Sequence, residues 1–178
     1  MTTKTLTKSS VSTVWDYTYD STTFSNSKGR LMSVVLDGAT DGCYYDGYDA
    51  MGRVTASRQV TTSGSANTYT MSYGYNLAGE MTKQVYPSDK EYRTSYDNAG
   101  RISQVSRYVA DVLDKTYASG FSYAAHGAVS SMTLGNSRIE KTTFNGRLQP
   151  TQITLGTSVS PSSLMQLDYT YNTTGLAK

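Results

Sequence analysis

The chain has 178 residues, of which 37% are hydrophobic and 17% charged, with a formal net charge of +2. So small and evenly scattered a positive charge argues against the basic stripe of a nucleic-acid-binding protein. No segment approaches the roughly 18 consecutive apolar residues of a membrane span, so no membrane insertion is expected, and the polar first ten residues carry no export signal. Cys43 is the single cysteine, which excludes an internal disulfide and a cysteine-based metal cluster.

Uncharged polar residues dominate the composition, with 24 Ser, 26 Thr and 16 Tyr. Thr and Tyr favour the half-buried, pleated surface of a β-sheet, whereas disordered chains of similar polarity are poor in aromatic residues. The composition therefore predicts ordered β structure.

In chain order, one short pattern recurs: an aromatic residue, then Asp or Asn, then two residues, then Gly. The anchoring aromatics are Tyr19, Tyr48, Tyr75, Tyr96, Tyr123, Phe144 and Tyr171. The cleanest copies are Tyr48-Asp49-Ala50-Met51-Gly52-Arg53 and Tyr96-Asp97-Asn98-Ala99-Gly100-Arg101, followed by Tyr75-Asn76-Leu77-Ala78-Gly79 and Tyr171-Asn172-Thr173-Thr174-Gly175. The degenerate copies are Tyr19-Asp20, which reaches Gly29-Arg30 after an insertion, Tyr123 with Gly127, and Phe144-Asn145-Gly146-Arg147, which is two residues shorter.

From Tyr48 onward every second anchor lies 48 residues further along the chain, in all four possible pairs. The repeating unit is therefore a pair of unequal repeats. Chance does not give four equal spacings.

Turn chemistry explains the pattern. A type I turn favours Asp or Asn first, where the side chain caps the backbone, and Gly fourth, where φ is positive at no steric cost. Before the turns, apolar residues alternate as in strands, for example Met71/Tyr73/Tyr75 and Met165/Leu167/Tyr169/Tyr171. Each copy therefore predicts a hairpin tip. The arginines after the glycines, Arg53, Arg101 and Arg147, are expected to stack on a neighbouring Tyr or to meet an Asp.

The strands are joined at their other ends as well. Where two successive anchors are closer together in the sequence this connection is tight, and where they are further apart it is a wider loop. The tight connections are 87–90 and 135–137, and the wider loops are 61–67, 109–115 and 156–163. The predicted fold is all-β: an antiparallel up-and-down meander of hairpins, forming an open, twisted or spiralling sheet. Residues 1–178 make one array of about seven repeats.

These repeats resemble the RHS/YD-repeat family, whose pattern is close to Tyr-x-Tyr-Asp-x-x-Gly-Arg-Leu. The resemblance rests on seven copies in regular spacing, on Tyr73-Gly74-Tyr75-Asn76, and on the segments 132–136 and 144–151. It implies a long spiralling sheet which, in bacterial toxin complexes, polymorphic toxins and teneurins, curls into a hollow shell; in toxin members the shell holds a C-terminal toxin. The family's self-cleaving segment ends in an Asp-Pro-x-Gly-Leu-like sequence, and this chain contains no Asp-Pro dipeptide.

The sequence stops three residues after Gly175, where the pattern predicts another strand. We therefore expect a piece of a larger shell, whose partners are the rest of that shell and its C-terminal cargo domain. Exposed strand edges would promote self-association. The resemblance implies that the parent protein is secreted or displayed at the cell surface.

Few residues suggest chemistry. His126 is the only histidine and lies at an expected hairpin tip, so it is better interpreted as a turn residue than as a catalytic base. Cys43 lacks the neighbours of a nucleophile. Four carboxylates, Asp37, Asp41, Asp46 and Asp49, fall within thirteen residues but lack the spacing of a calcium loop, and a solvated loop is favoured over an ion site.

The leading hypothesis is a structural segment of an RHS-type shell that encapsulates or displays a C-terminal domain, without catalytic, cofactor-binding or metal-binding residues. The alternative is a carbohydrate- or protein-binding module that uses the tyrosine-rich sheet face. Because the Tyr residues recur in every unit, the structural account is favoured: a binding site needs one converging set, whereas every hairpin needs its aromatic pairs.

Overall fold

A computed structural model describes residues 2–8, 11–62, 65 and 67–172. These residues form fourteen β-strands and no helix. The strands are β1 Thr2–Lys8, β2 Val11–Tyr19, β3 Leu31–Leu36, β4 Gly42–Tyr48, β5 Val54–Thr61, β6 Asn67–Tyr75, β7 Met81–Val85, β8 Glu91–Tyr96, β9 Ile102–Val109, β10 Val112–Tyr123, β11 Val129–Leu134, β12 Ile139–Phe144, β13 Pro150–Gly156 and β14 Met165–Asp168. In the described part of the chain, no helix is long and apolar enough to span a membrane.

The strand order is the sequence order, from β1 to β14. The paired strands of each unit run antiparallel, as in β1 with β2 and β12 with β13. Since β1 and β14 each have one neighbour in this order, the sheet is open. The predicted all-β meander is confirmed.

The chain divides into two compact units, Met1–Glu91 and Tyr92–Lys178. The first contains the hairpins from β1 to β7, and the second those from β9 to β14. Both are built in the same way, from hairpins whose strands pair with both sequence neighbours.

The described residues of neither unit form a conventional hydrophobic core. Met32, with 8% of its surface exposed, is the one buried hydrophobic side chain in the described residues, while Ser33, Ser106 and Thr154 are also buried. Most strand side chains are half-buried. Stability must therefore come mainly from backbone pairing, cross-strand side-chain pairs and contacts between neighbouring turns.

The connection at 109–115 differs from the prediction of a wide loop. Val109 pairs with Val112, so the turn consists of Ala110 and Asp111 alone, both with positive φ (48° and 64°). The remaining residues extend β10 and are taken up by register irregularities at 113–115 and 116–118. Such two-residue turns match the twist of paired strands, but they are normally marked by Asn-Gly or Asp-Gly, whereas this turn is Ala110-Asp111.

The other connections agree with the prediction where they are described. Residues 86–90 and 134–138 close as tight turns, in which Asp89 donates its N–H to the carbonyl of Tyr86 and Ser137 donates to Leu134. The loop after Gly156 is wide, and β14 begins only at Met165. Strand β5 ends at Thr61 and strand β6 begins at Asn67. These two residues are the limits of the third expected loop.

Candidate functional site

The repeated motifs form one kind of five-residue turn, called here a tip turn. The five regular tip turns are 49–53, 76–80, 97–101, 124–128 and 145–149. In each, the first N–H donates to the fifth carbonyl and the fourth N–H donates to the first carbonyl, at 2.7–3.1 Å. The fourth residue has positive φ, for example 83° at Gly52 and 75° at Gly100. This is the type I turn geometry expected from the sequence.

The first side chain caps the turn from inside. Oδ1 of Asp49 accepts hydrogen bonds from the N–H groups of Met51 (3.0 Å) and Arg53 (2.9 Å), and Oδ2 accepts from Nε of Arg53 at 2.6 Å. Asp97 repeats the arrangement with Ala99 and Arg101, all at 2.9 Å. A single carboxylate thus holds three donors of its own turn.

The first and fifth side chains are chemically matched in four of the five regular tip turns, all except 124–128, which has Ala at both positions. Where Asp stands first, Arg stands fifth; where Asn76 stands first, its amide N–H donates to Glu80, and Asn145 donates to Oε1 of Gln149 at 3.0 Å. Asp49 and Asp97 accept a hydrogen bond from the fifth residue through Oδ2. Asn76 and Asn145 instead donate from their amide nitrogen to an oxygen of the fifth residue. The sequence predicted that Arg53 and Arg101 would meet an Asp, but the Asn76–Glu80 and Asn145–Gln149 pairs were missed, although the residue types at the two positions carry the signal.

The insertion after Tyr19 preserves the ends of a tip turn. Asp20 donates its N–H to the carbonyl of Arg30 at 3.0 Å, as Asp49 does to Arg53, and its carboxylate accepts the N–H of Gly29. Arg30 therefore occupies the position of Arg53. The buried Ser27 hydroxyl organises the inserted residues by donating to carbonyls of the same loop.

The fifth-position arginine also reaches the next anchor along the chain. The guanidinium of Arg53 lies 4.6 Å from the ring centre of Tyr75, and that of Arg101 lies 4.6 Å from Tyr123. Arg53 also donates from Nη1 to the carbonyl of Asn76 at 3.0 Å. The expected stacking of Arg53 and Arg101 on Tyr is thus present, and both also pair with the Asp of their own turn.

The anchor hydroxyls close a second link, called here the hydroxyl latch. Four of them donate to the carbonyl of the first residue after the preceding tip turn, which lies 21 residues earlier in three pairs and 17 residues earlier for Tyr48. The described pairs are Tyr48 to Leu31, Tyr75 to Val54 (3.0 Å), Tyr123 to Ile102 (2.6 Å) and Tyr171 to Pro150 (2.7 Å). Burial raises the pKa of the Tyr48 and Tyr75 hydroxyls, which keeps them protonated as donors.

The repeat with Phe144 uses different chemistry. Phe144 has no hydroxyl, and the preceding tip turn has Ala128 in the arginine position. His126, the third residue of that turn, instead packs edge-on against Phe144, with ring centres 4.7 Å apart. The only histidine of the chain thus has a packing role in a tip turn.

The interpretation of Gly146 and Arg147 as the turn glycine and its arginine is wrong. The turn 145–149 has the ordinary length, and Leu148 takes the glycine position with φ of 63°, while Gln149 takes the arginine position. Arg147 is the third residue, whose N–H donates to Oδ1 of Asn145 at 2.9 Å. The sequence suggested a shorter turn with Gly146 in the left-handed position, because Leu rarely adopts positive φ.

The strained Leu148 gives a first prediction. Leu148→Gly should stabilise the protein by about 0.5–1.5 kcal/mol, because glycine removes the left-handed strain and Leu148, 48% exposed, contributes little burial. Leu148→Ala is the matched control, since it shortens the side chain but keeps the strain. The free energies of unfolding of both variants, measured in urea, test this expectation. Equal values for the two variants would contradict the assignment of Leu148 to the left-handed position of the turn.

The remaining predicted residues lie as follows. Tyr96 ends β8 directly before Asp97, Gly79 and Gly127 are fourth residues of tip turns, Tyr73 shares a hydrogen bond with Ser57 at 3.2 Å, and Tyr169 donates its N–H to Thr151. Asn172 is the last described residue, and Gly175 lies outside the described residues.

The acidic segment 37–49 does not converge. Asp37 lies in the turn between β3 and β4 and Asp41 directly before β4, Asp46 is inside β4 and pairs with Arg58 at 3.1 Å, and Asp49 is in the tip turn after β4. In the residues described above, no group of three or more His, Cys, Asp or Glu side chains is placed to hold a metal ion. Cys43 is exposed on β4.

Acid should weaken the tip turns. The pKa of Asp49 is lowered chiefly by the hydrogen bond from the Arg53 backbone, and that of Asp97 by its hydrogen bond with the Arg101 side chain. Because both pKa values lie below those of the unfolded chain, the stabilisation is complete above about pH 4 and disappears as pH falls through the folded-state values.

An Asp49→Asn/Asp97→Asn variant should therefore be less stable than the wild type near neutral pH but lose less stability on acidification. The thermal midpoint, followed from about pH 6 to pH 2, measures the difference. Parallel curves for the two proteins would show that these carboxylates do not couple to folding.

No family model matches the sequence, and no curated protein matches it. Solved structures do match: the crystal structure of TcdB2-TccC3-TEV, with a TM-score of 0.78 and 15% identity, covers 94% of this chain and 9% of that chain. The structure of TcdB2-TccC3-Cdc42 has a TM-score of 0.69 and 14% identity, covering 98% of this chain and 11% of that chain. The structure of TcdB2-TccC3 has a TM-score of 0.67 and 14% identity, covering 93% of this chain and 10% of that chain. The chain thus spans about a tenth of the chains that it matches, and the likeness establishes the fold alone, which agrees with the all-β sheet that the sequence predicts.

Proposed function

We propose that this chain is a wall segment of a larger RHS-type protein, whose β-shell encloses or displays a C-terminal domain. The observation that carries the proposal is the linkage of the tip turns 49–53 and 97–101 to the next anchors, Tyr75 and Tyr123, by both an arginine and a hydroxyl. Such links hold successive hairpins in register without a hydrophobic core, which suits a wall with two free faces. The role is structural and needs no turnover.

The shared fold supports this proposal. The matched structures are toxin-complex chains about ten times longer than this chain. The match covers nearly the whole length of this chain. The partners of the wall would be the remainder of the shell and its cargo domain, and the parent protein would be secreted or displayed at the cell surface.

Reading the coding sequence on both sides of the chain and expressing the complete reading frame tests the proposal. We expect further repeats, a following domain, and protection of that domain from protease until the repeats unfold. A reading frame without additional repeats, or a following domain cleaved as fast as the same domain alone, would overturn it.

Self-association is a further expectation. Within the described part of the chain, strands β1 and β14 end the strand order, so each has one edge of backbone N–H and C=O groups that no other described strand pairs. The isolated chain should form larger species as its concentration rises. Sedimentation velocity measures this, and a monomer at every concentration would contradict it.

A second candidate function is binding of carbohydrate on the aromatic sheet face. One specific observation favours it: two adjoining cavities in the first unit share Trp15 and Val34, and Tyr17 also lines one of them.

A further inference from the structure

The chain contains a single Asn-Gly pair, Asn145-Gly146, and this pair begins the tip turn 145–149. A backbone nitrogen can attack the side-chain amide of the preceding residue, and glycine favours this attack because it has no side chain in the way and a freely rotating backbone. Gly146 is exposed, and nothing lies within 4 Å of a Cβ atom built on it. The attacking residue is therefore open to solvent.

The folded turn holds the Asn145 carboxamide at both of its polar atoms. Oδ1 accepts hydrogen bonds from the N–H groups of Arg147 at 2.9 Å and Gln149 at 3.1 Å. Nδ2 donates to Oε1 of Gln149 at 3.0 Å. These three hydrogen bonds oppose the rotation that would bring Cγ of Asn145 onto the nitrogen of Gly146. The attack therefore requires the turn to open.

The turn 145–149 is held less firmly than the turns 49–53 and 97–101. Its fourth residue is Leu148, with φ of 63°, whereas the other two turns have glycine there, so this turn alone of the three carries left-handed strain. Its first and fifth side chains form a neutral pair, Asn145 with Gln149, whereas the other two turns have a charged pair of Asp and Arg. Local opening is therefore easier at 145–149.

We propose that Asn145 is a deamidation site whose reaction is controlled by the opening of the tip turn 145–149. In the open turn the nitrogen of Gly146 attacks Cγ of Asn145, the Cγ–Nδ2 bond breaks, and ammonia leaves with the proton that the attacking nitrogen gives up. Water then opens the resulting succinimide ring, and no oxidant or reductant is required. Hydrolysis at Cγ gives aspartate at position 145, whereas hydrolysis at the backbone carbonyl gives isoaspartate, in which the main chain continues through Cγ.

The two products differ in their effect on the turn. Aspartate already stands first in the turns 49–53 and 97–101, so the same backbone geometry accepts it. Isoaspartate lengthens the main chain by one atom and turns the backbone carbonyl of residue 145 into a carboxylate. In the folded turn that carbonyl accepts the N–H of Leu148 at 2.8 Å, and the N–H of residue 145 donates to the carbonyl of Gln149 at 2.9 Å. The longer chain no longer matches this pair of hydrogen bonds, so isoaspartate makes the opening irreversible.

The rate of deamidation in the folded and the unfolded chain tests the control by the turn. The full chain would be incubated at mildly alkaline pH in buffer and in urea until the wild type shows measurable product, and its tryptic peptides analysed by mass spectrometry. We expect Asn145 to react at least about tenfold more slowly in the folded chain, because only the open fraction reacts. Asn136 is the internal control, since its Oδ1 also caps a turn by accepting the N–H of Arg138 at 3.1 Å, but Ser137 follows it. In urea it should react more slowly than Asn145. This inference does not depend on the wall role or on carbohydrate binding.

Variants that change the turn but keep the Asn-Gly pair should change the folded rate alone. Leu148→Gly relieves the strain and should lower the rate in the folded chain by roughly two- to tenfold. Leu148→Ala is the matched control, since it keeps the strain and should react like the wild type. Gln149→Ala removes the acceptor of Nδ2 and should raise the folded rate by roughly two- to tenfold. In urea all three variants should react like the wild type, and circular dichroism checks that each folds in buffer.

The stability of the products gives a second, independent readout. The Asn145→Asp variant should have a thermal midpoint close to that of the wild type, whereas the isoaspartyl chain, isolated after incubation, should unfold at a lower temperature. The proposal is overturned if Asn145 reacts as fast in the folded chain as in urea, or if Leu148→Gly and Leu148→Ala react at equal rates when folded. It is also overturned if the isoaspartyl chain is as stable as Asn145→Asp.

Discussion

Gly135→Ala should destabilise the protein by about 1–3 kcal/mol, although it adds a single methyl group. A Cβ atom at this position would lie 2.4 Å from the carbonyl oxygen of Thr116 and 3.2 Å from Cα of Tyr117. Both are backbone atoms of β10, and the N–H of Gly135 donates to the Tyr117 carbonyl at 2.7 Å. The methyl group would therefore push apart a turn and the strand on which it rests, since neither is a flexible side chain.

Gly146→Ala is the matched control in the same unit. Nothing lies within 4 Å of a Cβ atom at Gly146, and its φ is not in the left-handed region. Alanine there should be neutral or stabilise by about 0.4–1 kcal/mol, because it restricts the unfolded chain. Free energies of unfolding of the two variants, measured in urea, test the expectation; equal effects would contradict the backbone contact at Gly135 and the turn assignment of 145–149.

Tyr75→Ala should destabilise the protein by about 2–4 kcal/mol, the larger of the side-chain effects expected here. The substitution removes three interactions together: the ring beneath Arg53, the half-buried ring surface, and the hydroxyl latch to Val54. Tyr75→Phe keeps the ring and should cost only about 0.5–1.5 kcal/mol. Thermal and urea unfolding measure both changes.

The coupling between Arg53 and Tyr75 is separable from general packing. A double-mutant cycle of Arg53→Met and Tyr75→Ala should give a coupling of about 0.5–1 kcal/mol, whereas a cycle with Tyr75→Phe, which keeps the ring, should give a smaller coupling. Tyr69→Ala is the control, since Tyr69 is 45% exposed, and should have a much smaller effect than Tyr75→Ala. If Tyr75→Ala and Tyr69→Ala were equally harmless, the anchors would not hold the tip turns in place.

Several misassignments have a common cause. The sequence around Asn145 offers a glycine one residue into the turn, yet the structure gives the left-handed position to Leu148, because the strand register on both sides requires a turn of ordinary length. Likewise Ala110 and Asp111 turn the chain without glycine, since Val109 and Val112 are already paired. In both places strand pairing overrides local turn preference.

The sequence by itself determined the local structure: the hairpins, their antiparallel order, and the tip turns of Asp49, Asn76 and Asp97. These depend on hydrogen bonds within five residues, so the residue types suffice to predict them. Only the tertiary structure decided which arginine reaches which tyrosine, which carbonyl receives each anchor hydroxyl, and that Trp15 and Asp41 line one cavity. Those contacts join residues some 20 or more positions apart, and their partners depend on the register of neighbouring strands, which local turn chemistry does not specify.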